Sequence, residues 1–144
     1  MALGNLFQGL AGNLSEVSIE SLTHEYGKYL IEGEMITRGY KLIRDALIFT
    51  NIRIIFVDKQ GTTGKKTALK SIFLMNIVDV EMETAGMGLD DSEITITYLE
   101  NIKLKAHSEH LLSHKFEFPK QVDIVPLYQY LFQLAYQNRQ HINQ

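Results

Sequence analysis

The stretch from Leu42 to Lys66 constrains the fold of this chain more than any other. It holds two short apolar runs, Ala46 to Thr50 and Ile52 to Val57, which only a Thr50-Asn51 turn separates. A turn rich in Gly and Lys follows the second run. Because so few residues lie between the runs, no helix fits there, and the pattern predicts antiparallel strands of a β-meander.

Apolar and polar residues alternate from Met35 to about residue 118, which predicts a series of short strands. They lie near residues 36–44, 46–50, 52–59, 67–74, 78–84, 93–99 and 115–118, with a further candidate at 102–107. Turn-forming residues separate them, and Asn51 tolerates positive φ where a tight hairpin needs it. The chain therefore has about seven predicted strands.

A helix is predicted on each side of the strands. Ser15 or Ser18 can cap the first helix, which we expect to end at Glu32-Gly33-Glu34. Its apolar face is Ile19, Leu22, Tyr26 and Tyr29-Leu30. Asp123 can cap the last helix, whose first turn contains Pro126. The face predicted to be buried there is Val125, Tyr128, Leu131-Phe132 and Ala135-Tyr136.

The first fourteen residues form an apolar leader that glycines interrupt. Its large apolar residues recur at helical intervals: Leu3, Leu6, Phe7, Leu10 and Leu14. Each of its three glycines weakens an isolated helix by about 1 kcal/mol relative to alanine. We therefore expect the leader to need a partner surface, and we take the first four of these residues as candidate oligomer-interface residues.

Composition excludes several classes of protein. The 144-residue chain has a formal net charge of -3, whereas dedicated nucleic-acid-binding domains are usually basic. It has no cysteine, so disulfides and thiolate metal sites are excluded. A secretory signal requires basic residues before its apolar centre, and no Lys or Arg precedes the apolar residues of the leader. No apolar run approaches the roughly 20 residues that span a bilayer. We expect a soluble, cytoplasmic protein.

The order of elements resembles the pleckstrin-homology superfold, in which one C-terminal helix closes seven antiparallel strands. Specific residues resemble the signature of the bacterial pleckstrin-homology-like family: Lys41-Leu42-Ile43-Arg44-Asp45, Ile48-Phe49-Thr50-Asn51, Arg53-Ile54-Ile55, Val57-Asp58-Lys59-Gln60-Gly61 and Gly64-Lys65-Lys66. Glu83-Thr84-Ala85-Gly86, followed by an acidic residue and a strand, is similar to its second block. The segment from Ile102 to Lys115 departs from the family as an insertion.

The resemblance implies an α+β fold: a half-open antiparallel barrel of about seven strands closed by a C-terminal helix. Residues 1–34 would form an N-terminal helical extension, and residues 35–140 would form the pleckstrin-homology-like domain. The resemblance also implies bacterial origin and closed, ring-like homo-oligomers, with five subunits expected. It implies no catalytic residue, no cofactor and no agreed ligand.

Four lysines gather on one predicted hairpin of this acidic protein: Lys59, Lys65, Lys66 and Lys70. The Gly61 to Thr67 stretch is not a nucleotide-binding loop, because two residues rather than four separate its glycines and a strand follows it. The lysines are candidate ligands for an anionic headgroup at a membrane surface. The alternative is a solvated turn that keeps an edge hairpin soluble.

Two further patterns allow a structural interpretation. Arg44 and Arg53 are expected to pair with Asp45 and Asp58 on neighbouring strands, which would make these signature residues part of the hairpin geometry. His107, His110 and His114 have a metal-like spacing, but they fall in a segment predicted to be strand or loop. We interpret this segment as a polar, exposed insertion, and we predict no metal site.

These observations favour a non-catalytic interaction or scaffold module that forms a homo-oligomer and binds an unidentified protein partner. The alternative is peripheral membrane or anionic-lipid binding through the hairpin from Lys59 to Lys70. An enzyme is not indicated, because no residue spacing points to a nucleophile with its base or to paired catalytic carboxylates.

Overall fold

The structure, a computed structural model, describes residues 18–41, 45–60, 66–86 and 91–144. The elements of these ranges are α1 (Ile19–Tyr26), a 3₁₀ turn (Gly27–Tyr29), β1 (Ile36–Lys41), β2 (Ala46–Thr50), β3 (Arg53–Gln60), β4 (Lys66–Phe73), a second 3₁₀ turn (Leu74–Asn76), β5 (Ile77–Glu83), β6 (Ser92–Leu99), β7 (Leu111–Phe118) and α2 (Val125–Ile142). The predicted order of helix, seven strands and helix is confirmed. The described chain forms two compact units, residues 18–74 and 75–144.

The first unit is an antiparallel sheet in the order β1-β2-β3-β4, with α1 packed on one face. Leu22 and Tyr26 of the helix are buried against apolar side chains of the sheet: Ile36, Ala46, Ile48, Ile55 and Val57. Ser18 caps the helix, since its hydroxyl accepts a hydrogen bond from the amide of Ser21. The strands predicted at 46–50 and 52–59 are confirmed to within one residue.

The first helix is shorter than predicted. It ends at Tyr26, where the 3₁₀ turn begins, and not at Glu32-Gly33-Glu34. Gly33 has a φ of 82° and forms the turn that follows. The face prediction was correct for Leu22 and Tyr26, whereas Ile19 is half-exposed.

Gly39 in β1 allows α1 to approach the sheet closely. A Cβ atom built at Gly39 would lie 2.5 Å from Cδ1 of Leu22, closer than carbon atoms can pack. Leu22 is buried and cannot swing into solvent to relieve the overlap. The glycine is therefore a packing requirement of the helix–sheet contact.

We expect the Gly39→Val variant to lose about 1–3 kcal/mol of unfolding free energy, because the added side chain collides with Leu22. Urea denaturation would measure this loss. In the Leu22→Ala background the same glycine substitution should cost less, since the colliding side chain has been shortened. Costs that simply add in the L22A/G39V double variant would contradict this explanation.

The second unit is an antiparallel sheet in the order β5-β6-β7, and α2 packs against β5. The helix buries Leu127, Tyr130, Leu131 and Ala135. Near its end, the Asn138 amide donates a 2.8 Å hydrogen bond to the carbonyl of Ile77, and Nε of Arg139 donates a 2.6 Å bond to that of Val78. These two bonds fix the helix to the backbone of β5.

Two predictions for this unit were wrong. The predicted buried face of α2 was correct for Leu131 and Ala135, but Val125, Phe132 and Tyr136 are exposed by 40%, 46% and 54%. The candidate strand at 102–107 is a loop, and the last strand begins at Leu111. The side chain of Asn101 holds this loop, since it donates to the carbonyl of Ser108 and accepts from the amide of His110.

Within the described residues, no helix is long and apolar enough to cross a membrane.

Candidate interaction surface

The first unit contains a buried ion pair between Glu34 and Arg53. Oε2 of Glu34 lies 2.8 Å from Nε of Arg53, and Oε1 lies 3.0 Å from Nη2, so the contact is bidentate. The Glu34 side chain is fully buried, and that of Arg53 is 19% exposed. The prediction that Arg53 pairs with Asp45 or Asp58 is therefore wrong, while Arg44 lies outside the described residues.

Both charged groups make further hydrogen bonds within the first unit. The Glu34 carboxylate also accepts a 2.7 Å bond from the Thr50 hydroxyl and a 3.1 Å bond from the amide of Ile31. The Arg53 guanidinium donates further bonds to the Ser71 hydroxyl at 2.8 Å and to the carbonyl of Tyr29 at 2.9 Å. A carboxylate occupied in this way has a structural role, because a ligand would have to displace these donors.

Asn51, in the turn between β2 and β3, binds the backbone on both sides of Glu34. Nδ2 of Asn51 donates to the carbonyl of Gly33 at 3.1 Å, and Oδ1 accepts from the amide of Met35 at 2.8 Å. Asn51 does not have positive φ, so the turn does not use its tolerance of that conformation. The asparagine is needed here because its amide binds two backbone groups of another segment, not because it tolerates an unusual backbone conformation.

The surroundings of Glu34 also determine its protonation. Burial raises the pKa of this carboxyl, but the hydrogen bonds from Arg53, Thr50 and the Ile31 amide lower it more, so the pKa lies below its ordinary value of 4.5. The unfolded chain, with the ordinary pKa, binds the proton more readily. The stability that Glu34 provides is therefore present above the ordinary pKa and is lost as the pH falls through the lowered one.

Four large apolar side chains on the backbone segments next to this ion pair remain exposed. We call them the apolar rim: Tyr29, Ile31, Met35 and Phe73, which are 39%, 62%, 66% and 52% exposed. The first three belong to the segment whose backbone is bonded to Arg53, Glu34 and Asn51. Phe73 is the register partner of Arg53 on the neighbouring strand. Exposed apolar residues held on a rigid base are typical of an interaction surface.

The structure describes the side chains of two of the four lysines in the predicted cluster. Lys66 and Lys70 are exposed on β4 and share one face of the strand, being four residues apart. The backbone of Lys59 pairs with Thr67, so this position belongs to the opposite face of the sheet from Lys66 and Lys70. Lys65 lies outside the described residues, as do Leu3, Leu6, Phe7 and Leu10. Asp58 pairs with Ala68, midway between Lys66 and Lys70, and this acid reduces the positive charge of that face.

The three histidines of the insertion do not converge. His114 lies in β7 with its ring 4.9 Å from that of Phe116, whereas His107 and His110 lie in the preceding loop. Among the residues that the structure describes, no group of three or more His, Cys, Asp or Glu side chains is arranged to hold a metal ion.

Sequence reasoning missed Glu34, which it treated only as part of a helix stop. Its partners Thr50 and Arg53 are 16 and 19 positions away, so no local pattern indicates them. The one available signal was the occurrence of Thr50, Asn51 and Arg53 together in the signature.

Comparison with solved structures defines the class of fold. A crystal structure of a DUF1696 family protein with a pleckstrin-homology domain from Shewanella loihica PV-4 is 31% identical with a TM-score of 0.64, covering 85% of this chain and 97% of that one. A pleckstrin homology domain from Shewanella amazonensis SB2B is 32% identical with a TM-score of 0.63, covering 89% and 96%. The predicted fold, a pleckstrin-homology-like one with seven antiparallel strands and a C-terminal helix, is confirmed.

The chain belongs to the bacterial PH domain family, whose model matches residues 5–135. It is 43% identical over 101 residues to the uncharacterized protein YjqA of Bacillus subtilis (strain 168), a match that covers 70% of this chain and 80% of that protein. The resemblance inferred from the signature residues is confirmed. The family supplies a fold and no established activity.

We expect the Arg53→Met variant to lose about 3 kcal/mol of unfolding free energy at neutral pH, because it leaves the buried Glu34 carboxylate without its counter-charge. Urea denaturation monitored by circular dichroism would measure the loss. The matched control is Lys115→Met, which breaks a more exposed pair with Glu93 at 3.4 Å and should cost less than about 1 kcal/mol.

The same two variants have different pH profiles. The difference in unfolding free energy between wild type and R53M should narrow from neutral pH to about pH 3. Over that range the wild-type protein loses the stability that the ionised Glu34 provides. The difference for K115M should change little. Equal costs for the two variants at neutral pH would contradict the structural role given to the buried pair.

Proposed function

We propose that this protein is a non-catalytic interaction module that assembles into a closed homo-oligomeric ring, with five subunits, and presents repeated copies of one binding surface. Membership of a family with a fold but no established activity supports a binding role over an enzymatic one. The Glu34–Arg53 pair is occupied by structural contacts. It leaves no activated acid or base there.

The observation that carries the proposal is the apolar rim. Its side chains are large and exposed, and the hydrogen bonds of Glu34, Arg53 and Asn51 fix the backbone that presents them. A surface ordered before binding loses little conformational entropy when it is covered. Ring closure would cover such a surface once in every subunit.

Light scattering after size-exclusion chromatography tests the assembly. Five copies of the 16.5 kDa chain give a mass of about 82 kDa. We expect the I31E/M35E variant to shift this mass towards that of the monomer, because two carboxylates would have to be buried in the interface.

The control variant T84E/Q121E adds the same charge at two exposed polar positions outside the rim and should keep the wild-type mass. A monomeric wild-type protein at all accessible concentrations would refute the ring. An assembly that tolerates I31E/M35E would exclude the rim from the interface.

Anionic-lipid binding through β4 is the second candidate, favoured by the exposed side chains of Lys66 and Lys70 on one strand face. Asp58 on the adjacent strand weakens the local positive potential, so one subunit would bind an anionic surface only weakly. A ring would multiply a weak affinity by presenting several copies to the same membrane.

Sedimentation with vesicles that contain phosphatidylserine tests this candidate. Each lysine near an anionic surface contributes about 1 kcal/mol, so K66E/K70E should lower vesicle affinity by at least about tenfold. The charge-matched control K41E/K103E changes two other exposed lysines and should bind as wild type does. Equal binding by the two double variants would remove the hairpin as a lipid site.

A further inference from the structure

The outward side of α2 carries a line of apolar side chains that the fold of its own unit does not bury. Val125, Phe132 and Tyr136 are 40–54% exposed, and Tyr128 is partly exposed between them. These four residues lie at helical spacing i, i+3, i+7 and i+11, and the rings of Tyr128 and Phe132 are 5.8 Å apart. We call this line the aromatic stripe.

The stripe lies on an unusually uncharged helix. From Val125 to Asn138 the chain has no Asp, Glu, Lys or Arg, and its exposed polar residues there include Gln129, Gln133 and Gln137. Solvated helix faces in soluble proteins usually carry charge, whereas the centres of protein interfaces are depleted of charge and enriched in aromatic residues. The bonds from Asn138 and Arg139 to β5 fix the helix just beyond the end of the stripe.

The leader has the properties that a partner of the stripe requires. Its first charged residue is Glu16, so residues 1–14 are uncharged like the stripe. Its apolar residues from Leu3 to Leu14 span eleven positions, as do those from Val125 to Tyr136. A helix over eleven positions is about 16 Å long, so a leader bound as a helix would match the stripe turn for turn.

We infer that the aromatic stripe of one subunit binds the leader, residues 1–14, of a second copy of this chain. The inference rests on the proposed homo-oligomer and assigns one of its contacts. The three glycines of the leader disfavour an isolated helix, which favours a leader sequence that binds an apolar surface. The stripe offers an apolar helix surface without charges that would have to be desolvated.

The absence of cysteine allows a direct test by disulfide cross-linking, since introduced thiols are the only ones present. The F7C/F132C double variant should form covalent multimers of up to five chains on mild oxidation, visible on a non-reducing gel. The control F7C/Q137C places the second thiol about 140° around the helix from position 132 and should form few of them. The F132C single variant should remain uncross-linked.

Three results would overturn the inference: a link within one chain in F7C/F132C, a dimer of F132C alone, or equal cross-linking of the two double variants. The first places the leader on its own subunit, and the second places two stripes against each other. The light-scattering mass of reduced F7C/F132C separates the two proposals. A ring-sized wild-type protein with a monomeric reduced variant agrees with both proposals, a monomeric wild-type protein refutes the ring itself, and an intact ring of F7C/F132C without the expected cross-links refutes only the contact assigned to the stripe.

Discussion

Burial of the Glu34 carboxylate is the constraint on which the first unit depends. Removing a carboxylate from water costs several kcal/mol, and four hydrogen bonds together with the charge of Arg53 offset that cost. The donors come from three places in the chain: the loop at Ile31, the end of β2 at Thr50 and the start of β3 at Arg53. One side chain thus joins the segment after α1 to the sheet.

Rigidity of the apolar rim follows from that junction. Tyr29 ends the first 3₁₀ turn, and Ile31 and Met35 lie in the segment without regular secondary structure between that turn and β1, where exposed side chains would ordinarily be mobile. Their backbone is instead bonded to Arg53, Glu34 and Asn51. The polar residues of the signature therefore need not touch a partner to influence the proposed assembly, because they position the apolar residues of its proposed interface.

Sequence patterns predicted the elements whose information is local. The strands at 46–50, 53–60 and 92–99 were found because apolar runs of strand length are bounded by turn residues. The Glu34 contacts could not be found in this way, since their partners are distant in sequence. The insertion gave the same difficulty: residues 102–107 alternate as a strand would, but the side chain of Asn101 binds the backbone of Ser108 and His110 and holds a loop.

Which face of α2 is buried against the sheet shows a different limit of sequence patterns. The helix carries two adjacent apolar stripes, one with Leu127, Leu131 and Ala135 and the other aromatic, so periodicity alone does not decide which is buried. Hydrogen bonds from Asn138 and Arg139 to β5 set the rotation of the helix and leave the aromatic stripe outside. Closed rings of more than two subunits require two different complementary surfaces on each chain, because a single self-complementary surface stops at a dimer. A second apolar stripe, left outside by the helix's own packing, meets that requirement when it is matched to an uncharged apolar leader.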